Sequence, residues 1–234
     1  MKAILLAAGH GTRMRPLTDS IPKCLLPVRG VPILQIWLSL CRQHGIDEVL
    51  INIHAHANMV REFLQKYGDG VKVCVSEETI LLGSAGTLLA NRQWLGSDSI
   101  FWVFYADVLT TANLRDILQL HKCRSPVATL GVCDVPDPRR CGIVSVDKEN
   151  IVREFTEKPE VPSSSLAFSG IMVGSPTLFD FIPSQIPVDI GFHVLPRLVG
   201  RMAACRIYDY LLDIGTPENY HAAQISWPGF QWRS

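Results

Sequence analysis

The sequence has no surplus of charge of either sign. Its 22 lysines and arginines are matched by 22 aspartates and glutamates, so the formal net charge is zero. Such a chain offers no basic field to a polyanion, and nucleic acid is not an expected partner. Closely paired cysteines are also absent. The seven at positions 24, 41, 74, 123, 133, 141 and 205 contain no C-x-x-C, whereas disulfide frameworks and zinc sites need closer or paired spacing. Reduced thiols in a cytoplasmic protein are therefore expected. No apolar run approaches the roughly 20 residues of a membrane span. The N-terminal run, residues 3–8, is too short for a secretory signal and passes straight into a glycine turn. A soluble protein without a membrane partner is expected. Internal repeats and low-complexity tracts are missing too, including any hexapeptide array; residues 162–165 come nearest to a flexible loop.

What the chain does have is enough apolar material, 47% of 234 residues, to bury a core without staples. Apolar runs predict strands at residues 2–7, 48–53, 71–75 and 99–105, the first continuous enough to be buried on both faces. Helical spacing falls between them at 32–44, 58–66 and 86–91, and then at 113–123. Further on, strands are expected at 127–132, 143–146, 151–156 and 166–173. Helices at 176–181 and 192–202, a strand at 206–210 and a closing helix from Pro217 complete the reading. Asn113 and Thr216 are the expected helix N-caps. The pattern predicts a single α/β domain over residues 1–226, with a mixed, mostly parallel sheet flanked by helices. Residues 227–234 form an aromatic tail without a period.

The first strand feeds Leu6-Ala7-Ala8-Gly9-His10-Gly11-Thr12-Arg13-Met14-Arg15-Pro16. Glycines let backbone N–H groups approach an anion closely. The loop is not a Walker A, because no Lys-Ser/Thr follows the second glycine. Nor is it the dinucleotide fingerprint, because the third glycine is absent. Lys23, inside Ile21-Pro22-Lys23-Cys24-Leu25-Leu26-Pro27-Val28, stands ten residues after Arg13. Two cations near one nest can neutralise a triphosphate, and arginine offers a planar fork for phosphate oxygens.

Two aspartates stand out. Asp107 follows an apolar strand, at the end where open α/β sheets bind ligands. Asp213 lies in Leu211-Leu212-Asp213-Ile214-Gly215-Thr216-Pro217-Glu218. Either alone could be a cap or turn residue. Magnesium needs only one or two carboxylates, leaving its other positions to water and phosphate. His54 and His56 share a strand face but have no third ligand at suitable spacing, so no metal site is expected there.

Together these motifs resemble the sugar-phosphate nucleotidyltransferases, whose fold is similar to that of the A-type glycosyltransferases. The composite of residues 6–17, Pro22-Lys23 and Leu26-Pro27-Val28 is similar to that family's opening signature. The family's Glu-Lys-Pro is matched by Glu157-Lys158-Pro159, and its Asp-Ile-Gly-Thr-Pro-Glu by residues 213–218. The resemblance implies transfer of a nucleotide from a nucleoside triphosphate to a sugar 1-phosphate, with pyrophosphate released. It implies that Leu6, Ala8, Gly9, Gly11 and Thr12 hold the nucleotide, and that Arg13 and Lys23 stabilise its phosphates. Asp107 and Asp213 would carry Mg2+, with Asp107 counted among the catalytic groups. Gly83 and Ser84 would lie along base and ribose, and Glu77 or Glu78 could accept the two donors of guanine; Glu78 is the residue taken. Gly142, Glu157, Lys158, Ser169 and Gly170 would hold the sugar phosphate, with Asp189 a further candidate.

The sequence departs from the family at Ala106, where glycine is usual, and at Phe168, where an asparagine usually reaches a sugar hydroxyl. It departs again at His193, usually acidic. The expected reaction uses GTP with mannose or heptose 1-phosphate. The alternatives are a UTP- or dTTP-dependent enzyme, a CTP-dependent transferase for phosphocholine, and a non-catalytic nucleotide-sugar-binding regulator.

Overall fold

A computed structural model describes residues 1–67, 70–96 and 100–229. In chain order the strands are β1 (Lys2–Leu6), β2 (Pro27–Val28), β3 (Val31–Pro32), β4 (Glu48–Ile53), β5 (Lys72–Glu77), β6 (Phe101–Tyr105), β7 (Val108–Thr110), β8 (Ala128–Asp134), β9 (Gly142–Val146), β10 (Val152–Glu157), β11 (Leu166–Gly174), β12 (Met202–Arg206) and β13 (Leu211–Asp213). The helices are α1 (Ile33–Gln43), α2 (Ala57–Lys66), α3 (Ser84–Ala90), α4 (Arg92–Leu95), α5 (Leu114–Arg124) and α6 (Pro217–Ser226). The described residues fall into two compact units. One lies within Met1–Leu81, Phe104–Ala112 and Asp209–Ser234, the other within Leu82–Val103 and Asn113–Tyr208.

In the first unit β1, β4 and β5 run parallel, with Lys2 opposite Glu48 and Glu48 opposite Lys72. Parallel strands bring their carboxyl ends to one edge, so the turns after all three emerge together. The continuous apolar run of β1 is buried at Ala3, Ile4 and Leu5, and α1 buries the stripe Ile33, Leu34, Trp37, Leu38 and Cys41. Trp37 stacks on Phe104 with ring centroids 4.8 Å apart. Each buried Leu or Ile among these side chains contributes about 1.5–3 kcal/mol. A two-stranded antiparallel ribbon, β7 with β13, sets Val108 opposite Asp213. Helix α6 starts as expected: Thr216 Oγ1 accepts from the Asn219 N–H, with Pro217 the first helical residue.

In the second unit β8 pairs antiparallel with β11, and β9 pairs antiparallel with β10 and β11, while β12 runs parallel to β8. The fold is thus a mixed α/β sheet flanked by helices, with parallel pairing concentrated in the first unit. Asn113 caps α5, accepting from the Arg115 N–H. This helix buries Leu114, Ile117 and His121. His121 Nδ1 meets Thr129 Oγ1 at 3.0 Å, and burial lowers its pKa to about 4.

Three expected elements are corrected. Residues 192–202 do not form one helix: a single π-type turn, Ile190–Val194, passes into a 3-10 turn, Leu195–Leu198. Pro196 cannot donate a helical hydrogen bond, and Gly200 adopts a left-handed φ of 80°. The strand expected at 206–210 begins earlier, at Met202, because Met202–Arg206 is the stretch in register with Ala128–Val132. The segment at Pro176–Phe181 is 3-10 rather than α-helical. Ser99, the start of one expected strand, lies outside the described residues, as do residues 230–234 of the tail. Trp227 is buried, and its carbonyl accepts from Arg29 Nη1 at 2.8 Å.

Candidate active site

In the first unit the glycine loop after β1 is held from beneath by one polar residue in an apolar strand. Asn52, opposite Leu6 in the β1–β4 register, accepts from the Ala7 and Ala8 N–H groups at 2.7 and 3.1 Å. Its amide donates to Glu78 Oε1 at 2.8 Å. Asn52 is 3% exposed and Glu78 5%, a satisfied network of the kind that rigidifies a turn. The Ala8 N–H is therefore committed to Asn52. Glu78 serves first as a support for the loop, while Glu77 pairs with Arg61 at the surface. The Leu6 carbonyl accepts from the Ala106 N–H at 3.0 Å.

Past Ala8 the chain turns outward. Gly11 adopts φ 61°, and its carbonyl accepts from Thr18 Oγ1 at 2.7 Å and from the Met14 N–H at 2.8 Å. A side chain at Gly11 would meet Thr18 at 3.0 Å, so both conformation and space call for glycine. Gly9, Thr12 and Arg13 are exposed. Among the described residues, no acceptor engages the N–H of Gly9, His10 or Gly11, which leaves donors open to an anion.

The cations and carboxylates converge beside this loop. Lys23 Nζ lies 2.8 Å from Asp107 Oδ2, the side chains 16% and 30% exposed. The Ile214 N–H donates to the Asp107 carbonyl at 2.9 Å, and the Gly215 N–H to Asp213 Oδ1 at 2.6 Å. Gly215 marks the centre: a Cβ there would fall 2.7 Å from Asp213 Oδ1, 3.1 Å from Arg13 Nη2 and 3.4 Å from Lys23 Nζ. The two carboxylates feel each other. Burial works against ionised Asp107, yet the charge and hydrogen bond of Lys23, with Arg13 beyond, hold it below the usual range. Desolvation by packed neighbours, and then the charge of Asp107, push Asp213 up, although its outer edge stays open to solvent. No group of three or more metal-ligating side chains occurs among the described residues. A pair of carboxylates is the protein share that a magnesium-type site requires.

The second unit carries the other expected residues. Glu157 ends β10 opposite Gly142 of β9. Side chains built on Gly142 and Gly191 would fall 2.7 and 2.5 Å from Glu157 Oε2, so glycine backbone walls this carboxylate on two sides. Burial raises the Glu157 pKa, with Lys158 opposing and Asp189 assisting. Lys158 Nζ is 3.7 Å from Glu157 Oε1. Lys158 holds a left-handed φ of 49°, a strained conformation of the sort that clusters at functional sites.

Gly83 has φ 77°, and a side chain there would strike the Val188 carbonyl at 2.5 Å. Ser84 Oγ donates to Asp189 Oδ1 at 3.3 Å and accepts from the Ile190 N–H at 2.7 Å. Ser169 is buried and donates to the Gly131 carbonyl at 2.8 Å. Gly170, with φ 78°, sits where the β11 register shifts between Phe168 and Met172. Both thus have structural work in the sheet. Asn52, Thr18, Gly191 and Gly215 were not singled out from sequence. Asn52 left a mark there as the polar interruption of Val49-Leu50-Ile51-Asn52-Ile53, and Gly215 only as part of the 213–218 run.

An anion-ready loop with paired cations and carboxylates, at the carboxyl edge of parallel strands, defines an α/β protein suited to binding a polyphosphate. The chain belongs to the nucleotidyl transferase family, whose model matches residues 2–227. It is 31% identical to mannose-1-phosphate guanylyltransferase 1 of Arabidopsis thaliana, over 94% of this chain and 63% of that one. It is 33% identical to a UTP–glucose-1-phosphate uridylyltransferase of Synechocystis sp., over 85% of this chain and 55% of the relative. The chain therefore spans about three fifths of the length of the curated relatives it matches. A Bacillus anthracis protein, provisionally named a glucose-1-phosphate thymidylyltransferase and solved in complex with a sucrose, superposes with a TM-score of 0.88. It is 25% identical, with 100% of this chain and 98% of that one covered. Members of the family generally use a divalent metal. No helix among the described residues is long and apolar enough to cross a membrane.

Proposed function

We propose that the chain is a cytoplasmic sugar-1-phosphate nucleotidyltransferase, with residues 1–226 acting as the transferase domain and 227–234 as a tail. The observation that carries this reading is the gathering of Arg13, Lys23, Asp107 and Asp213 around Gly215. The triphosphate would lie along the Gly9–Arg13 loop, its charge offset by Arg13 and Lys23. An oxygen of the sugar 1-phosphate attacks the α-phosphorus; the bond from that phosphorus to the bridging oxygen breaks, and pyrophosphate leaves. Arg13 and Lys23 stabilise the charge that grows on the departing pyrophosphate. Glu157 accepts from acceptor hydroxyls, and Lys158 holds the acceptor phosphate. No protein nucleophile is required.

Asp107 and Asp213 fit Mg2+: burial and then the charge of Asp107 push Asp213 up, and a divalent cation would offset both. When bound, that ion would polarise the phosphates.

GTP with mannose 1-phosphate is the favoured pair, supported by the guanylyltransferase likeness. The uridylyltransferase likeness makes UTP with glucose 1-phosphate the second reading. A pyrophosphate-release screen crosses GTP, UTP, dTTP and CTP with mannose, heptose and glucose 1-phosphates and phosphocholine, with Mg2+ and with EDTA. The expected result is Mg2+-dependent turnover that is fastest with GTP and mannose 1-phosphate. Release with no pairing would leave only nucleotide-sugar binding. Release with phosphocholine alone would replace the sugar reading.

A further inference from the structure

Phe192 is an exposed aromatic side chain beside Lys158. It follows Gly191, whose backbone walls Glu157, and the π-type turn leaves the residue 51% exposed. Lys158 Nζ lies 5.4 Å from the ring centroid. Lys158 is the only hydrogen-bond or ion-pair partner Glu157 has among the described residues, at 3.7 Å, so the carboxylate can still accept from a ligand. One place therefore presents a carboxylate acceptor, an ammonium over one face of an aromatic ring, and a half-exposed aromatic side chain with its other face left for a ligand.

A pyranose has a hydroxyl rim and apolar C–H faces, so a carboxylate beside an aromatic ring is matched to it. The ammonium is left for a phosphate on C1. A quaternary ammonium would also seek an aromatic face. Here, however, Lys158 already places a positive charge over one face of the ring, and a second cation would be repelled.

We infer that Phe192 stacks on the sugar ring and makes this a site for aldose 1-phosphates rather than phosphocholine. This deepens the proposed transferase reading and rests on it for the identity of the acceptor site. Calorimetric titration of the whole chain tests it with mannose 1-phosphate, glucose 1-phosphate, phosphocholine and inorganic phosphate. Phe192→Ala should weaken aldose 1-phosphate binding about tenfold, and Phe192→Tyr should keep it within about twofold. Inorganic phosphate, which needs only the ammonium, should bind all variants alike. Phe192→Leu preserves apolar bulk without the ring, and circular dichroism reports the fold of each variant; Leu should behave like Ala.

Unchanged sugar-phosphate affinity in the Ala and Leu variants would overturn the inference. So would an equal loss for inorganic phosphate, which would mean that Phe192 merely steadies Lys158. Phosphocholine binding as tightly as the sugars, or wild type binding neither aldose 1-phosphate, would also overturn it. Ring-dependent sugar binding without any pyrophosphate release would instead sink only the transferase reading.

Discussion

The first unit builds its site from charges held against charges, and the second from a carboxylate walled by glycine backbone. Around Gly215, two cations and two aspartates contributed by four separate stretches crowd together, and the pKa values of the aspartates are driven apart. Around Glu157, Gly142 and Gly191 deny space to any side chain, and burial is the largest influence on the carboxyl. A charge-built site answers to anything carrying a polyphosphate. A backbone-walled one answers to shape. The first should therefore govern turnover with every acceptor, and the second the choice among acceptors.

The largest effect should follow loss of Lys23 or of the Asp107 charge. Lys23→Ala and Asp107→Asn are expected to lower kcat/KM roughly a thousandfold, by the same factor for each acceptor. Steady-state kinetics with two sugar phosphates checks this, and a loss confined to one acceptor would erase the contrast between the units. Gly215→Ala comes next. Its methyl must displace Asp213, Arg13 or Lys23, and misplacement on the order of 1 Å costs about a hundredfold. Glu157→Gln should act more selectively, raising KM for a sugar 1-phosphate about tenfold while leaving KM for the triphosphate alone.

The smallest effect concerns stability, and only the second unit. Buried His121 titrates at about 4, below its ordinary 6.5, so between these values the unfolded chain binds more protons than the folded one. Stability then falls as pH drops from about 6.5 towards 4, by up to about 1.4 kcal/mol per pH unit. Urea unfolding of wild type and His121→Gln across that window should show the slope shrinking in the variant. An identical slope would remove His121 from the account.

Much of the first unit was legible in the order of residues. The apolar run of β1, the two loop glycines, Arg13, Lys23 and the capped start of α6 all announce themselves locally. Asn52 was visible but ambiguous, because a polar residue in a strand says nothing about what it will hold. The second unit was harder to read. The turns at 190–198 look helical by apolar spacing, and only Pro196 and Gly200 argue against it. Ser169 and Gly170 resemble ligand contacts in sequence, yet one hydroxyl bonds the neighbouring strand and the glycine serves a bulge.

Sequence alone settled most elements of the first unit, the caps, the anion-ready loop and the inventory of charged groups, because these depend on neighbours within a few residues. It could not say that Gly215 would sit against Arg13, Lys23 and Asp213, or that Gly191 would close on Glu157. Those contacts join segments far apart along the chain, and they exist only once strand register and turn geometry have placed one backbone against another's side chains.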